Sequence, residues 1–187
     1  MREGRNGRSL PRWWAPVDAD AAGLLAARQR PDSAGDQRWM RAVHVAAPPT
    51  VVYDWLTQLR RAPYSYDWLD NFGRRSPRRL DGRAGEIAAG DAVMTIFTTV
   101  SVEPGRSFVL RLADPRWIAV CGRIDVTYEA VPYTRGTLLS AELVVSLAPG
   151  PLPRLRRAAL AWGDLLMMRK QLRTLGALAE RDAAEMR

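Results

Sequence analysis

The densest set of side chains able to act on a small molecule is the run Tyr64-Ser65-Tyr66-Asp67-Trp68-Leu69-Asp70-Asn71. Tyrosine and tryptophan offer flat apolar area with a hydrogen-bonding tip, which suits an amphipathic ligand. Asp67 and Asp70, three residues apart, fall on one face of a helix, where a carboxylate pair can exchange protons with a bound molecule. Tyr66, Asp67, Asp70 and Arg123 are the candidate catalytic groups, with Asp91 as a further carboxylate. Tyr64, Tyr66 and Trp68 are candidate ligand contacts. The same residues could instead anchor a short helix, with the carboxylates paired to Arg74, Arg75, Arg78 or Arg79.

Other chemistries lack their residues. The chain of 187 residues has one cysteine, Cys121, and one histidine, His44. That leaves no intrachain disulfide and too few ligands for a zinc site of thiolates and imidazoles, so no metal is expected. His44 lies opposite Val43 and Val45 in strand parity and reads as an outer-face residue, and no nucleophile elbow accompanies it. No glycine-rich phosphate loop is present, and no cofactor is expected. Lys170, the one lysine, sits beside Arg169 and reads as solvent-facing, which argues against Schiff-base chemistry.

The formal net charge is +8. All but one of the 28 basic residues are arginine, spread along the whole chain. Such a spread reflects composition and argues against specific nucleic-acid binding. The local cluster Arg74, Arg75, Arg78, Arg79 and Arg83 could steer an anionic ligand or touch acidic lipid headgroups weakly. No apolar run is long enough to span a bilayer. The first residues lack the apolar stretch of a signal peptide, so the chain is expected to be cytoplasmic. The pattern says nothing of oligomeric state.

The elements that must position these groups can be read in order. Residues 1–36 form an N-terminal extension: a basic arm, the pair Trp13-Trp14, and a short helix capped by Asp18 or Asp20. The extension is expected to pack on the outside of the main domain through Trp13, Trp14, Leu24 and Leu25. Residues 37–187 form that domain. A strand from Gln37 to Ala47 precedes a helix capped by Thr50 and running to about Arg60. Pro63 starts a second helix, Tyr64 to Asn71. Strands follow over Asp91–Glu103, with Met94, Ile96 and Val100 on one parity, and through Phe108, Leu110 and Leu112. A third strand alternates Ile118, Val120, Ile124, Val126 and Tyr128 with Arg123 and Asp125. A fourth carries Leu139, Ala141, Leu143, Val145 and Leu147. This is an antiparallel meander with one apolar face. Arg111, Arg123, Asp125 and Glu142 take the opposite parity and read as cross-strand ion pairs; a local reversal would turn Arg123 or Asp125 inward. After Pro149-Gly-Pro-Leu-Pro153 comes a helix to about Glu185. Its apolar stripe is expected at Leu155, Ala159, Trp162, Leu166, Leu172, Leu175 and Leu178. Such a helix persists only if its stripe is buried, which places it on the sheet and leaves room for a cavity between them.

From about Arg38 to Glu180 this order resembles the SRPBCC superfamily, which groups START lipid-transfer domains, birch-pollen-allergen-like proteins and polyketide cyclase/dehydrase proteins. The stretches Ala62-Pro-Tyr-Ser-Tyr-Asp-Trp-Leu-Asp-Asn-Phe-Gly-Arg-Arg-Ser-Pro-Arg and Gly163-Asp-Leu-Leu-Met-Met-Arg-Lys-Gln-Leu-Arg-Thr-Leu resemble an uncharacterised actinobacterial branch. The resemblance implies an α+β helix-grip fold: a curved antiparallel sheet wrapped around a long C-terminal helix, with two short helices after the first strand. It implies a hydrophobic or amphipathic small molecule between sheet and helix, carried or sensed without chemistry. The alternative is an acid/base enzyme of the polyketide cyclase/dehydrase type. The walls would come from Met94, Ile96, Phe108, Leu110, Val120, Ile124, Leu143 and Val145 on strands, with Trp162, Leu166 and Met167 on the helix. Tyr64, Tyr66 and Trp68 would stand at the mouth.

Overall fold

The computed structural model of the chain describes residues 10–28, 36–65, 75–146 and 151–186. The elements are β1 (Trp13–Trp14), α1 (Ala19–Arg28), β2 (Asp36–Val45), α2 (Pro49–Thr57) with a 3-10 turn over Gln58–Arg60, β3 (Ala92–Val93), β4 (Phe97–Glu103), β5 (Ser107–Leu112), α3 (Pro115–Cys121), β6 (Arg123–Tyr133), β7 (Gly136–Ser146) and α4 (Pro151–Glu185). They form a helix-grip fold: one sheet of order β1-β2-β7-β6-β5-β4-β3 lies against α4.

The alternation expected for β5, β6 and β7 holds, because each strand has one apolar face to bury. Registers align the inward side chains in rows across the sheet. Phe97, Leu112, Ile124 and Val145 form the row at one end. Phe108, Tyr128, Ala141 and Arg41 form another, deeper row. Outer parity carries the ion pairs, with Arg111 2.8 Å from Asp125 and Arg38 3.4 Å from Glu142. His44 is exposed on that face and its Nε2 lies 3.1 Å from the Thr134 carbonyl.

The sheet is mixed rather than purely antiparallel, because β1 adds to the free edge of β2 in parallel. Asp18 caps α1 by accepting from the Ala21 backbone N–H at 2.8 Å. Ala21 and Leu25 of α1 then bury against Met40, Ala42, Val131 and Leu138 on the outer face, with Trp13 beside them. Leu24 stays exposed. Trp14 turns to the other side, where the Arg169 and Arg173 guanidinium groups lie 5.8 and 5.3 Å from its ring.

Several expectations fail for local reasons. Thr50 does not cap α2: Pro48 holds the N-cap position without a side-chain bond, and Pro49 opens the helix. The strand expected over Asp91–Glu103 is broken by Met94 and Thr95, both in the left-handed region (φ 49° and 68°), which make β3 and β4 a hairpin. Phe97 and Thr99 point inward from β4, and Ile96 stays at the turn. A bulge after Thr99 resets the register so that Val102 also packs on the core. Ile118 and Val120 lie on a helix, because Asp114 accepts from the Arg116 and Trp117 N–H groups and Pro115 fixes the first turn.

The stripe of α4 is also displaced. Trp162 and Leu166 are 48% and 54% exposed, and Leu155 is exposed with them. The buried apolar side chains among the described residues of α4 are Ala161, Leu165, Met168, Leu172, Leu175, Leu178, Ala179 and Ala183. Stepping from Leu166 to Leu172 turns the helix by about 600°, so the expected stripe joins two faces. Gly176 lies against the sheet, and an added Cβ there would lie 3.1 Å from the Val45 Cγ2.

Gly163 and Gly176 therefore respond oppositely to substitution. A Cβ at Gly163 meets nothing within 4 Å. Gly163→Ala should raise stability by about 0.5–1 kcal/mol through helix propensity. Gly176→Leu should lower it by about 1–3 kcal/mol through overpacking. Urea unfolding of the two variants checks both signs.

Candidate functional site

The interior between the concave sheet face and α4 is apolar, with polar groups at two places. Phe108, Leu110, Leu143 and Val145 are buried in one cluster, with Met94 and Ile124 half-buried against it. The rings of Phe108 and Tyr128 lie 5.5 Å apart, and Tyr53 meets Phe108 edge-on at 6.4 Å. These residues fill the middle of the interior.

The first polar place is Tyr128. Its hydroxyl donates to Gln171 Oε1 at 2.7 Å, and Gln171 Nε2 donates to the Pro63 carbonyl at 2.6 Å. Met168 and Met94 sulfurs lie 3.6 and 3.5 Å from the same two groups. Burial raises the Tyr128 pKa well above the ordinary phenol value, so the group is a neutral donor.

The second place is an ion pair in the same row of the sheet. Arg41 is fully buried, and its Nη2 donates to Asp164 Oδ2 at 2.9 Å. Its Nη1 donates to the Arg12 and Met40 carbonyls at 2.8 and 3.0 Å. Its Nε has no acceptor among the described residues. Burial lowers the Arg41 pKa, against the pull of Asp164. For Asp164 burial is again the larger cause, and it pushes the carboxyl up to about 6 despite Arg41. A carboxyl in that range can take or give a proton near neutral pH. Asp164 and Gln171 are seven residues apart, two turns of α4, so both meet the sheet.

The candidates read from sequence are partly scattered. Tyr64 is a core residue at 1% exposure, edge-on to Trp55 at 6.1 Å, rather than a mouth residue. Tyr66, Asp67, Trp68 and Asp70, with most of the range expected to form a second helix, lie outside the described residues. Arg123 is exposed on the outer parity. Asp91 closes a turn by accepting from the Ala88 N–H at 2.8 Å. Val120, Trp162 and Leu166 face away from the interior. Arg41, Tyr128, Asp164 and Gln171 were not singled out. The parity of Arg41 with Trp39 and Val43, and the seven-residue spacing on α4, were the signals for them.

Burial within the interior is uneven. Phe108 and Tyr128 are buried, with Val102 beside Phe108 half-buried; in the end row Leu112 and Val145 are buried and Phe97 and Ile124 half-buried, as are Met94 at the hairpin and Leu160 on α4. A separate groove of about 870 Å³ runs along the outward face of α4, with Arg78, Leu166, Arg169, Lys170, Arg173 and Arg181 on its walls. No group of side chains among the described residues has the makings of a metal site, and no described helix is long and apolar enough to cross a membrane.

No protein-family model matches the chain, and no curated protein matches it in sequence. Among solved structures it is similar to the Zhui aromatase/cyclase from Streptomyces sp. R1128, at 17% identity over 78% of this chain and 94% of that one, with a TM-score of 0.49. It is similar to Ara h 8.0201, at 9% identity over 81% of this chain and 99% of that one, TM-score 0.49. It is also similar to the di-domain ARO/CYC StfQ from the steffimycin biosynthetic pathway, at 17% identity over 89% of this chain and 55% of that one, TM-score 0.49.

The Asp164 pair fixes a pH dependence. The folded carboxyl keeps its proton to about pH 6, while an ordinary Asp releases it at 3.8. Between those values folding takes up a proton, so this contribution is full at the acid end and declines as pH rises through about 6. The urea midpoint of the wild type minus that of Asp164→Asn should fall between about pH 4 and pH 6.5 and then level off. A difference that stays flat or rises would show that Asp164 is not held protonated.

Proposed function

We propose that this protein binds a hydrophobic or amphipathic small molecule between the concave sheet face and α4, as a carrier or sensor. The observation that carries this reading is the partial exposure of apolar groups at one end of the interior. Phe97 and Ile124, which strand parity aims at the helix, are half-buried there beside buried Leu112 and Val145, as are Met94 in the β3–β4 turn and Leu160 on α4. An apolar molecule entering at that end would cover surface that water now reaches, and each square ångström covered favours binding by about 25 cal/mol. The Tyr128 hydroxyl and the Gln171 amide lie deeper on the same face and supply the few polar groups that orient a ligand in an apolar site.

A second reading is favoured by one observation, the Asp164 carboxyl poised near neutrality beside Arg41. In an enzyme of the polyketide cyclase/dehydrase type, Asp164 would accept a proton from a bound chain and return it to the departing hydroxyl, while Arg41 holds the developing charge.

Titration with 1-anilinonaphthalene-8-sulfonate tests the binding space. Saturable binding is expected, and Ile124→Trp, which fills the half-open end, should weaken it about tenfold with the unfolding midpoint kept. Absence of saturable binding, or binding indifferent to Ile124→Trp, overturns the reading. Native mass spectrometry of protein from its own host then separates carrier from enzyme. A carrier returns its ligand unchanged. An enzyme returns it lighter by one water, and Asp164→Asn leaves it intact.

A further inference from the structure

Helix α3 breaks the rule that a short helix buries its apolar face. Its residues Pro115 to Val120 are all exposed, and Cys121 alone is buried. Trp117, Ile118 and Val120 are 49%, 37% and 50% exposed within one turn and a half. Such a cluster of large apolar side chains costs free energy in water and marks a contact surface. The helix is nonetheless firmly placed. Asp114 caps it, and Gly122 ends it with φ 75°. The Ala113 and Asp114 N–H groups both donate to the Ile96 carbonyl in the β3–β4 turn, at 2.8 and 3.3 Å.

The surroundings decide what covers it. Arg116 lies on the helix and Arg123 follows it, both exposed. Arg156 at the start of α4 is close enough for its charge to act on Cys121, and Leu155 beside it is exposed too. The described carboxylates near by are already engaged: Asp114 accepts from backbone N–H groups, Asp125 holds Arg111 at 2.8 Å, and Asp36, in the row of Arg123, accepts from the Ser146 hydroxyl. An apolar tip with a tryptophan, flanked by three arginines, is complementary to an anionic bilayer surface. The aliphatic groups enter the acyl boundary, the indole stays at headgroup depth, and the guanidinium groups meet phosphates.

We propose that α3 is a membrane-docking wedge for anionic bilayers, with Trp117, Ile118 and Val120 inserted and Arg116, Arg123 and Arg156 on the headgroups. This surface differs from the arginine cluster around Ser76-Pro77 and from the groove along α4. The wedge stands at the half-open end: Ile124 follows it on β6, and the turn bonded to it carries Met94. Docking would bring that end of the interior to the lipid, so that an apolar ligand passes between protein and bilayer without crossing water. This last step, but not the docking, rests on the binding reading above.

Co-flotation with phosphatidylcholine vesicles, with and without phosphatidylglycerol, tests the docking. The wild type should float with the anionic vesicles, less so at high salt. Trp117→Ser/Val120→Ser should lose at least about tenfold in partitioning. Arg116→Glu/Arg156→Glu should lose about fivefold or more per arginine. Arg78→Glu/Lys170→Glu, in the α4 groove, should float like the wild type. Failure of the wild type to float overturns the proposal. So does a loss confined to the groove variant, or a wild-type dimer without lipid that Trp117→Ser/Val120→Ser turns into a monomer. Dye titration without vesicles reads the binding site alone: vesicle binding lost with dye binding kept removes the wedge and leaves the ligand reading standing, and the reverse result does the opposite.

Discussion

The fold depends on how closely α4 can approach the concave face of the sheet. At the C-terminal half the helix presents Gly176, Ala179 and Ala183, and Val45 fits against the glycine. Small side chains permit close approach of backbones, and that contact is dry and tight. Trp55 of α2 closes the same region by donating its indole N–H to Asp182 at 2.9 Å. Toward its N-terminal half the helix packs on the sheet through Ala161 and Met168 and carries the Asp164–Arg41 bridge.

Polar groups in such an interior are costly unless satisfied. Tyr128 and Gln171 satisfy one another and the Pro63 carbonyl, which ties α4 to β6 and to the segment after α2. Arg41 and Asp164 are a harder case. Burial opposes both charges, and two further carbonyls are recruited to hold the guanidinium. One of these belongs to Arg12, so the pair also fastens the N-terminal extension to the sheet edge. A buried ion pair is weak as a source of stability and strong as a constraint on register, because removing either partner strands the other. Its raised carboxyl pKa is a consequence of the position, whether or not chemistry uses it.

Much of the fold was legible, and the reasons for the rest are specific. The alternation of β5, β6 and β7 could be read because a half-buried strand repeats every two residues, and it lapses where α1 covers the outer face at Val131 and Leu138. Ile118 and Val120 kept that alternation by chance, while Asp114-Pro115 was the helix start that should have taken precedence. The α4 stripe differs from its large-residue pattern because small residues mark the buried face: Ala161, Gly176 and Ala183 outline it better than Trp162 and Leu166. The site was less legible. Arg41 and Asp164 are charged residues on core positions, and hydrophobic patterning assigns charges outward by construction. Their burial depends on a partner 123 residues away, which no local pattern contains.

The arginines have unequal roles, and composition alone does not sort them. Along the α4 groove Arg169 and Arg173 lie over Trp14, and Arg181 pairs with Asp182 at 2.6 Å while donating to the Arg78 carbonyl. Those contacts hold β1 and the segment around Arg78 against the helix, so this charge is already doing structural duty. Among the described residues Arg116, Arg123 and Arg156 form no ion pair, and α3 beside them is one of the places where large apolar side chains stand together in water. Internal packing of the described residues does not account for that combination. The same end of the molecule carries the half-buried row. Both the exposed apolar tip and its place beside the half-buried row follow from one feature: the β5–β6 connection folds as a short helix, Pro115–Cys121, instead of a tight turn.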